Sequence, residues 1–143
     1  MTSDLPDWAS DLDLRPHPEG GWYAETYRHA DSVERAEGER SLGTAIYFLL
    51  QPGESSAWHR VASDELWFHH RGGALRLFVG ESPDSYSEHR LGPDIAAGER
   101  PQLLVPAGAW QAARPVDDAV LVSCVVVPGF DFTDFTLGDA APS

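Results

Sequence analysis

Lysine is absent. All ten basic residues are Arg, set against 23 Asp and Glu, which leaves a formal net charge of −13 and a pI near 4.6. Schiff-base and lysine general-base chemistry are thereby excluded. A chain this acidic is not drawn by charge to nucleic acid or to an anionic membrane, and neither is expected as a partner. Cysteine is almost absent as well. Cys124 stands alone, which rules out an intramolecular disulfide and a cysteine-rich metal site. It sits in the apolar run Val120–Val127 and reads as a buried structural thiol, because a nucleophilic thiol needs an electropositive, accessible setting. No stretch approaches the roughly 20 apolar residues that span a bilayer. Met1 to Asp13 is acidic and lacks an apolar core, so no signal peptide and a cytoplasmic location are the expectation.

What is present suits one folded domain. The chain has 143 residues, 42% of them hydrophobic and 10% aromatic, enough for a real core over residues 1–143. The tail 138–143 is expected to fray. Near the start, Leu5, Trp8 and Leu12 alternate with Asp4, Asp7 and Asp11, which predicts a short amphipathic helix capped by Ser3 or Asp4. Pro16 and Pro18 end it, and Gly20-Gly21 makes a corner. Strands are expected at Trp22–Arg28, Leu42–Leu50, Ser56–Val61, Glu65–Arg71, Ala74–Val79, Tyr86–Leu91, Gln102–Val105, Trp110–Arg114, Ala119–Val127 and Phe132–Leu137. Ser56–Val61 and Glu65–Arg71 read as a pair around Ala62-Ser63-Asp64. Residues Ala30 to Arg40 read as a mobile surface loop or a lid over a pocket, and Gly80 to Ser85 as a polar loop. Many short strands with one helix mean an all-β sandwich or barrel. Periodicity does not choose among immunoglobulin-like, lipocalin-like and jelly-roll forms.

The spacing within Gly53–Gly72 does choose. His59, Glu65 and Gly72 follow Gly53 in a pattern that resembles the first motif of the cupin superfamily, G-x5-H-x-H-x3,4-E-x6-G, with Val61 at the second histidine. Downstream, Pro106-Ala107-Gly108-Ala109-Trp110-Gln111 resembles the second motif, P-x-G-x2-H, with Gln111 at the histidine. Three further pieces, His17-Pro18-Glu19-Gly20-Gly21, Asp64-Glu65-Leu66-Trp67 and Pro128-Gly129-Phe130-Asp131-Phe132, together with Ala57-Trp58-His59, extend the likeness. In this order they resemble the DUF985 branch of the cupins, also called cupin_5, from about Leu12 to Leu137. The resemblance implies a single-domain cupin jelly roll, or double-stranded β-helix, commonly a homodimer, with a pocket inside the barrel. It implies no settled substrate, and similarity of fold to sugar-nucleotide epimerases is not similarity of chemistry. The strand Trp22–Arg28 is either an edge that pairs across a twofold axis or one covered within the chain.

In the cupin register His59, Val61, Glu65 and Gln111 point into the barrel. Trp67 and His69 lie further along the face of Glu65, and Tyr23, Glu25 and Tyr27 share a face that lines the mouth. Three readings of the site follow. In the first, His59 is base or acid, Glu65 its partner, and Tyr23 or Tyr27 an acid. Glu19, Glu25, Tyr27, Trp67, His69 and Gln111 then bind ligand. This describes a metal-independent isomerase or epimerase moving a proton on a carbohydrate- or nucleotide-like molecule. In the second, the same pocket binds a small molecule without turning it over. In the third, one divalent metal ion is held by His59, Glu65 and Gln111, with His17 or His69 supplementing them. Val61 cannot ligate, and an amide oxygen is a weak ligand for late transition metals. Trp58, Trp67 and Trp110 are either stacking platforms or core aromatics. Glu19 either touches ligand or caps the amides of its corner. A His–Glu pair is also what a hydrogen-bonded core pair looks like.

Overall fold

The computed structural model describes residues 5–143. Its strands in chain order are β1 (Arg15–Pro16), β2 (Trp22–Arg28), β3 (Ser32–Arg35), β4 (Gly38–Ser41), β5 (Thr44–Leu50), β6 (Ser56–Arg60) and β7 (Asp64–Gly72). They continue with β8 (Leu75–Ser82), β9 (Ser85–Leu91), β10 (Gln102–Val105), β11 (Trp110–Pro115), β12 (Val120–Val127) and β13 (Thr136–Leu137). A six-stranded sheet runs β1-β2-β5-β12-β7-β10, and a five-stranded sheet runs β13-β6-β11-β8-β9. The strand pairs of both sheets are antiparallel. The two sheets face each other as the all-β jelly roll that the paired motifs predict. Among the described residues no helix is long and apolar enough to cross a membrane.

Alternation makes the core. Phe48 and Leu50 of β5, Val120 and Val122 of β12, and Leu75 and Leu77 of β8 point between the sheets and are buried with Trp67, Leu91 and Val105. The intervening residues Leu49 and Leu121 face outward. There Ala9 of the N-terminal helix covers them, flanked by Leu5, Trp8 and Leu12. That helix, Asp7–Leu12, is a 3₁₀ helix rather than an α-helix, in keeping with its six residues. Pro6 precedes it without a side-chain cap. The expected caps Ser3 and Asp4 lie outside the described residues.

Four local expectations are corrected. Ala30 to Arg40 is not an irregular loop, because β3 and β4 pair as a separate two-stranded sheet. Gly80 to Ser85 is the tight end of the β8–β9 hairpin. The segment 132–137 is a 3₁₀ turn, Phe132–Asp134, followed only by the two residues of β13. The tail is docked rather than frayed. Gly138 N–H donates to the Trp58 carbonyl at 2.6 Å, Trp58 N–H donates to the Asp139 carbonyl at 2.8 Å, and Ala141 is buried against the cluster of Trp58, Phe78 and Ala112. As for β2, β1 covers it only at Trp22 and Tyr23.

Two features position the pocket. The strands β6 and β7 are not partners: β6 lies in the five-stranded sheet and β7 in the six-stranded one. The corner between them crosses the barrel, so His59 and Glu65 approach one interior from two walls. The second feature is the corner after β1. His17 N–H donates to the Gly21 carbonyl at 2.9 Å, Gly20 N–H donates back to the His17 carbonyl at 3.0 Å, and Ala57 N–H donates to the Glu19 carbonyl at 2.8 Å. Gly20 and Gly21 have φ of +107° and +77°. A Cβ on Gly20 would collide with the carbonyl oxygen of Ser55, and one on Gly21 would come within 2.7 Å of Leu50 Cδ2. The corner therefore fits only glycines, and it carries His17 and Glu19 inward. Gly20→Ala is expected to cost about 2 kcal/mol or more, read as a lower urea midpoint. A midpoint equal to that of the parent would show that the corner tolerates a side chain.

Candidate active site

One end of the barrel opens into a cavity of ≈ 630 Å³. Alternate residues of the entering chain, Asp13, Arg15, His17 and Glu19, form one wall. Tyr23 and Glu25 follow from β2, His59 rises from β6, and Glu65 and Cys124 stand on β7 and β12. Phe130, Phe132 and Phe135 complete the lining, with Phe132 and Phe135 each 6.1 Å from the His17 ring between centroids. Arg40 ties this aromatic segment down. Its Nε and Nη2 donate to the two carboxylate oxygens of Asp134, each at 2.8 Å, and Nη2 also donates to Thr133 Oγ1 at 2.9 Å. The β3–β4 hairpin thus anchors the aromatic wall.

At the base lies a cluster of buried ionisable groups. Glu19 stands between two imidazoles: its Oε1 is 3.3 Å from His17 Nδ1, and its Oε2 is 3.4 Å from His59 Nε2. Ser56 Oγ–H donates to Glu19 Oε2. The hydrogen bonds assign both tautomers. The Glu19 backbone N–H donates to His17 Nδ1 at 3.1 Å, so that nitrogen carries no proton. His59 Nδ1 lies 2.7 Å from the Ala57 carbonyl, which can only accept, so the proton is on Nδ1 and Nε2 is bare. Two bare nitrogens thus face one carboxyl group. A hydrogen bond in either contact requires a proton on Glu19, and these are neutral contacts rather than ion pairs.

Burial acts in the same sense. It raises the Glu19 carboxyl from 4.5 to about 8, with Ser56 opposing. It lowers His17 from 6.5 to about 4, with His59 adding to the effect. Burial also lowers His59, against the opposing pull of Glu65, and raises Glu65. Ring contacts hold the imidazoles in place. His59 stacks on Phe135 at 5.6 Å between centroids, and His17 meets Tyr23 edge-on at 4.6 Å.

The family model described as Cupin superfamily (DUF985) matches residues 6–138. The chain belongs to the DUF985 cupins. It is similar to protein SO0799 from Shewanella oneidensis, a solved structure, at 40% identity and a TM-score of 0.85, covering 96% of this chain and 85% of that one. It is 31% identical over 152 residues to the uncharacterized protein YML079W of Saccharomyces cerevisiae, covering 94% of this chain and 75% of the relative. Oxalate decarboxylase from Bacillus subtilis shares the fold at a TM-score of 0.63 and 14% identity, over 90% of this chain and 30% of that enzyme.

In this DUF985 cupin the cavity brings together His59, Glu65, Tyr23, Glu19 and Glu25. Trp67, His69, Gln111 and Tyr27 do not line it. Gln111 is fully buried behind Glu65: its Nε2 donates to Glu65 Oε1 at 2.8 Å, and its Oε1 accepts from Trp67 Nε1 at 3.0 Å. Both residues thus orient Glu65 instead of meeting a ligand. His69 Nε2 lies 2.9 Å from the Gly73 carbonyl, in the turn after β7. Tyr27 is 53% exposed. A bulge in the β2–β5 pairing between Glu25 and Tyr27 breaks the alternation, turning Tyr27 outward and Arg28 into the cavity. Trp58 packs in the core with Phe78, and Trp110 packs on that cluster. Arg15, Arg28 and the three phenylalanines are not marked as ligand-facing by the sequence, which offers His17 only as a supplementary metal ligand. The alternation from Asp13 to Glu19 was the available signal for the first of these.

The donor set does not fit the metal that typical cupins hold. Val61 offers no donor, both ends of the Gln111 amide are engaged, and His59 Nε2 faces Glu19. Among the described residues no group of three His, Cys, Asp or Glu is placed to hold a metal ion.

The neutral cluster has a pH signature. Between 4.5 and about 8 the folded protein keeps a Glu19 proton that the unfolded chain releases, so this group lowers stability as pH rises, by up to about 1.4 kcal/mol per pH unit. His17 acts oppositely: between about 4 and 6.5 the unfolded chain binds the extra proton, and stability rises with pH. His59 acts in the sense of His17 and Glu65 in the sense of Glu19, so gains and losses oppose each other up to 6.5, and above it only the losses from the raised Glu19 and Glu65 carboxyls remain. In Glu19→Gln that upper decline is expected to become shallower, by up to about 1.4 kcal/mol per pH unit, in urea denaturation measured across the window, the Glu65 part remaining. An unchanged slope would mean that Glu19 is already ionised in the folded state.

Proposed function

We propose that this cupin is an isomerase- or epimerase-like enzyme that moves a proton at the carbon beside a carbonyl group, with no metal ion in the step. The observation that supports this reading is the 3.4 Å contact between the bare His59 Nε2 and the Glu19 carboxyl. A base without a proton and an acid holding one stand side by side in a cavity large enough for a small organic molecule.

The step balances within these residues. His59 Nε2 takes the proton from the carbon, and the electron pair of the C–H bond forms the enol double bond. Glu19 gives its proton to the carbonyl oxygen, so no free enolate forms. His59 is then an imidazolium and Glu19 a carboxylate. Glu65 favours the charged imidazole, as its effect on His59 shows. The proton returns from His59 to the neighbouring carbon, which isomerises the substrate, or to the opposite face of the same carbon after the enol turns over, which epimerises it, and Glu19 recovers its own from the hydroxyl that becomes the carbonyl. Gln111 and Trp67 hold Glu65, and Ser56 holds Glu19. The aromatic wall excludes water from the developing charges.

The test is deuterium wash-in at the carbon beside the carbonyl in D₂O, followed by proton NMR over a panel of aldoses, ketoses, nucleotide sugars and oxo acids. The parent is expected to exchange at least one of them, and His59→Gln to lose about 100-fold or more of that rate while keeping its circular dichroism. Retained exchange in His59→Gln would remove His59 from the mechanism. Saturable binding without exchange by the parent would make the protein a small-molecule binder. The pH profile of the parent should fall above about 8, where Glu19 loses its proton. A rate that keeps rising through that pH would show that Glu19 is not the acid.

A further inference from the structure

The cavity walls differ in a way that acid–base chemistry does not require. One part of the lining is apolar, made of Phe130, Phe132 and Phe135, and packs against His17 and His59. The entering wall is a ladder that starts exposed at Arg15 and ends buried at His17 and Glu19, whose side chains keep 5% and 9% of their exposure. One extended step of two residues covers about 7 Å, so Arg15 sits roughly that far above His17 on the same face.

Among the described residues no acid forms an ion pair with Arg15. The acids that share the mouth are Asp13, Glu25 and Asp131. Glu25 accepts from Arg28 at 2.6 Å. Asp131 accepts from Thr133 N–H at 2.9 Å and from Thr133 Oγ–H at 2.7 Å. Asp13, two residues before Arg15, is the one competitor left, and no ion pair forms between them. The chain carries a net charge of −13, which repels anions at long range. An anionic ligand can be held here only by a local cation, and the mouth supplies one. Below it the cavity offers neutral groups: the phenol of Tyr23, the second nitrogen of His17, and the pair of Glu19 and His59.

We infer that the ligand is a carbonyl compound bearing a carboxylate or phosphate several bonds from the reacting carbon, with the anion paired to Arg15 at the mouth and the carbonyl lowered to His59 and Glu19. Arg15 is then a specificity residue for the proton-transfer reading on which this inference rests. A ligand whose charge lies directly on the carbonyl would not span the wall, and an uncharged ligand would leave Arg15 unused.

The experiment uses two matched pairs: ribose 5-phosphate against ribose, and 4-oxopentanoate against its methyl ester. Binding is measured by saturation-transfer NMR in the parent, Arg15→Ala, Arg15→Lys and His59→Gln. At least one anion is expected to bind about tenfold or more tightly than its neutral partner, the yield of a charge-assisted contact. Arg15→Ala should cut that preference to below about threefold, Arg15→Lys should restore part of it, and added salt should weaken it. The pair showing the preference tells phosphate from carboxylate. Equal binding within both pairs, a preference that survives Arg15→Ala, or no binding of either anion at 10 mM (about 100-fold above ordinary substrate affinities) would overturn the inference. Because binding is also read in His59→Gln, the two readings fail separately. Anion preference without deuterium exchange retains Arg15 and removes the chemistry, whereas exchange of neutral compounds alone does the reverse.

Discussion

Everything at the base of this barrel depends on keeping charge out of it. Five ionisable side chains converge there, yet His17, Glu19, His59, Glu65 and Cys124 sit among Phe, Tyr, Ile and Val. Ionising them singly in such surroundings is costly, and burial shifts each of them toward its uncharged form. The hydrogen bonds reach the same result independently, because each imidazole presents a bare nitrogen to Glu19. One carboxyl proton shared between two lone pairs is a stable resting arrangement in a dry site. It also keeps a carboxyl group and a bare imidazole nitrogen side by side.

The fold supports that arrangement through connections more than through strands. His59 and Glu65 are six residues apart in sequence but belong to different sheets, and the corner after β6 makes them face one another. Glu19 arrives on a corner that two glycines permit and that Ala57 N–H pins to β6. The aromatic wall arrives on a 3₁₀ turn that the Arg40–Asp134 pair holds. Three loops and two sheets therefore meet in one site, as is common where a rigid scaffold positions functional loops.

Much of this was legible in the chain. The spacing of Gly53, His59, Glu65 and Gly72 indicated the barrel through its resemblance to a cupin motif, which the family match bears out. The strand Gln102–Val105 agrees to the residue, since turn chemistry brackets it on both sides. Alternation failed where the backbone left its period of two. The bulge at Thr26 exchanged Tyr27 for Arg28, and no residue type at that position announces a bulge. It also failed to give depth. Trp67 and Gln111 lie on inward faces as expected, but they fill the core behind Glu65, and only the packing of both sheets decides which inward residues reach open space. The hairpin β3–β4 was hidden because β3 is exposed throughout and β4 buries only the charged Arg40, so no apolar face marks them. Glu19 reads as a turn residue until its carboxyl is seen between two histidines.

The two departures from the metal-binding pattern are mutually consistent. A histidine at position 111 offers a ring nitrogen to a metal, whereas Gln111 offers a donor to Glu65 and an acceptor to Trp67 and has nothing left over. A buried amide with either end unmet would cost about 1–3 kcal/mol, and the Trp67 indole meets the second end. Val61, 5% exposed, lines the cavity with hydrocarbon where a second imidazole would stand. Together the two residues replace donors aimed at a central ion with a carboxyl group fixed from behind and an apolar flank beside it. An apolar flank favours a protonated Glu19, while the Ala57 carbonyl sets the bare His59 nitrogen. The substitutions that remove donors from a metal centre therefore also leave Glu65 fixed from behind and an apolar flank in the cavity.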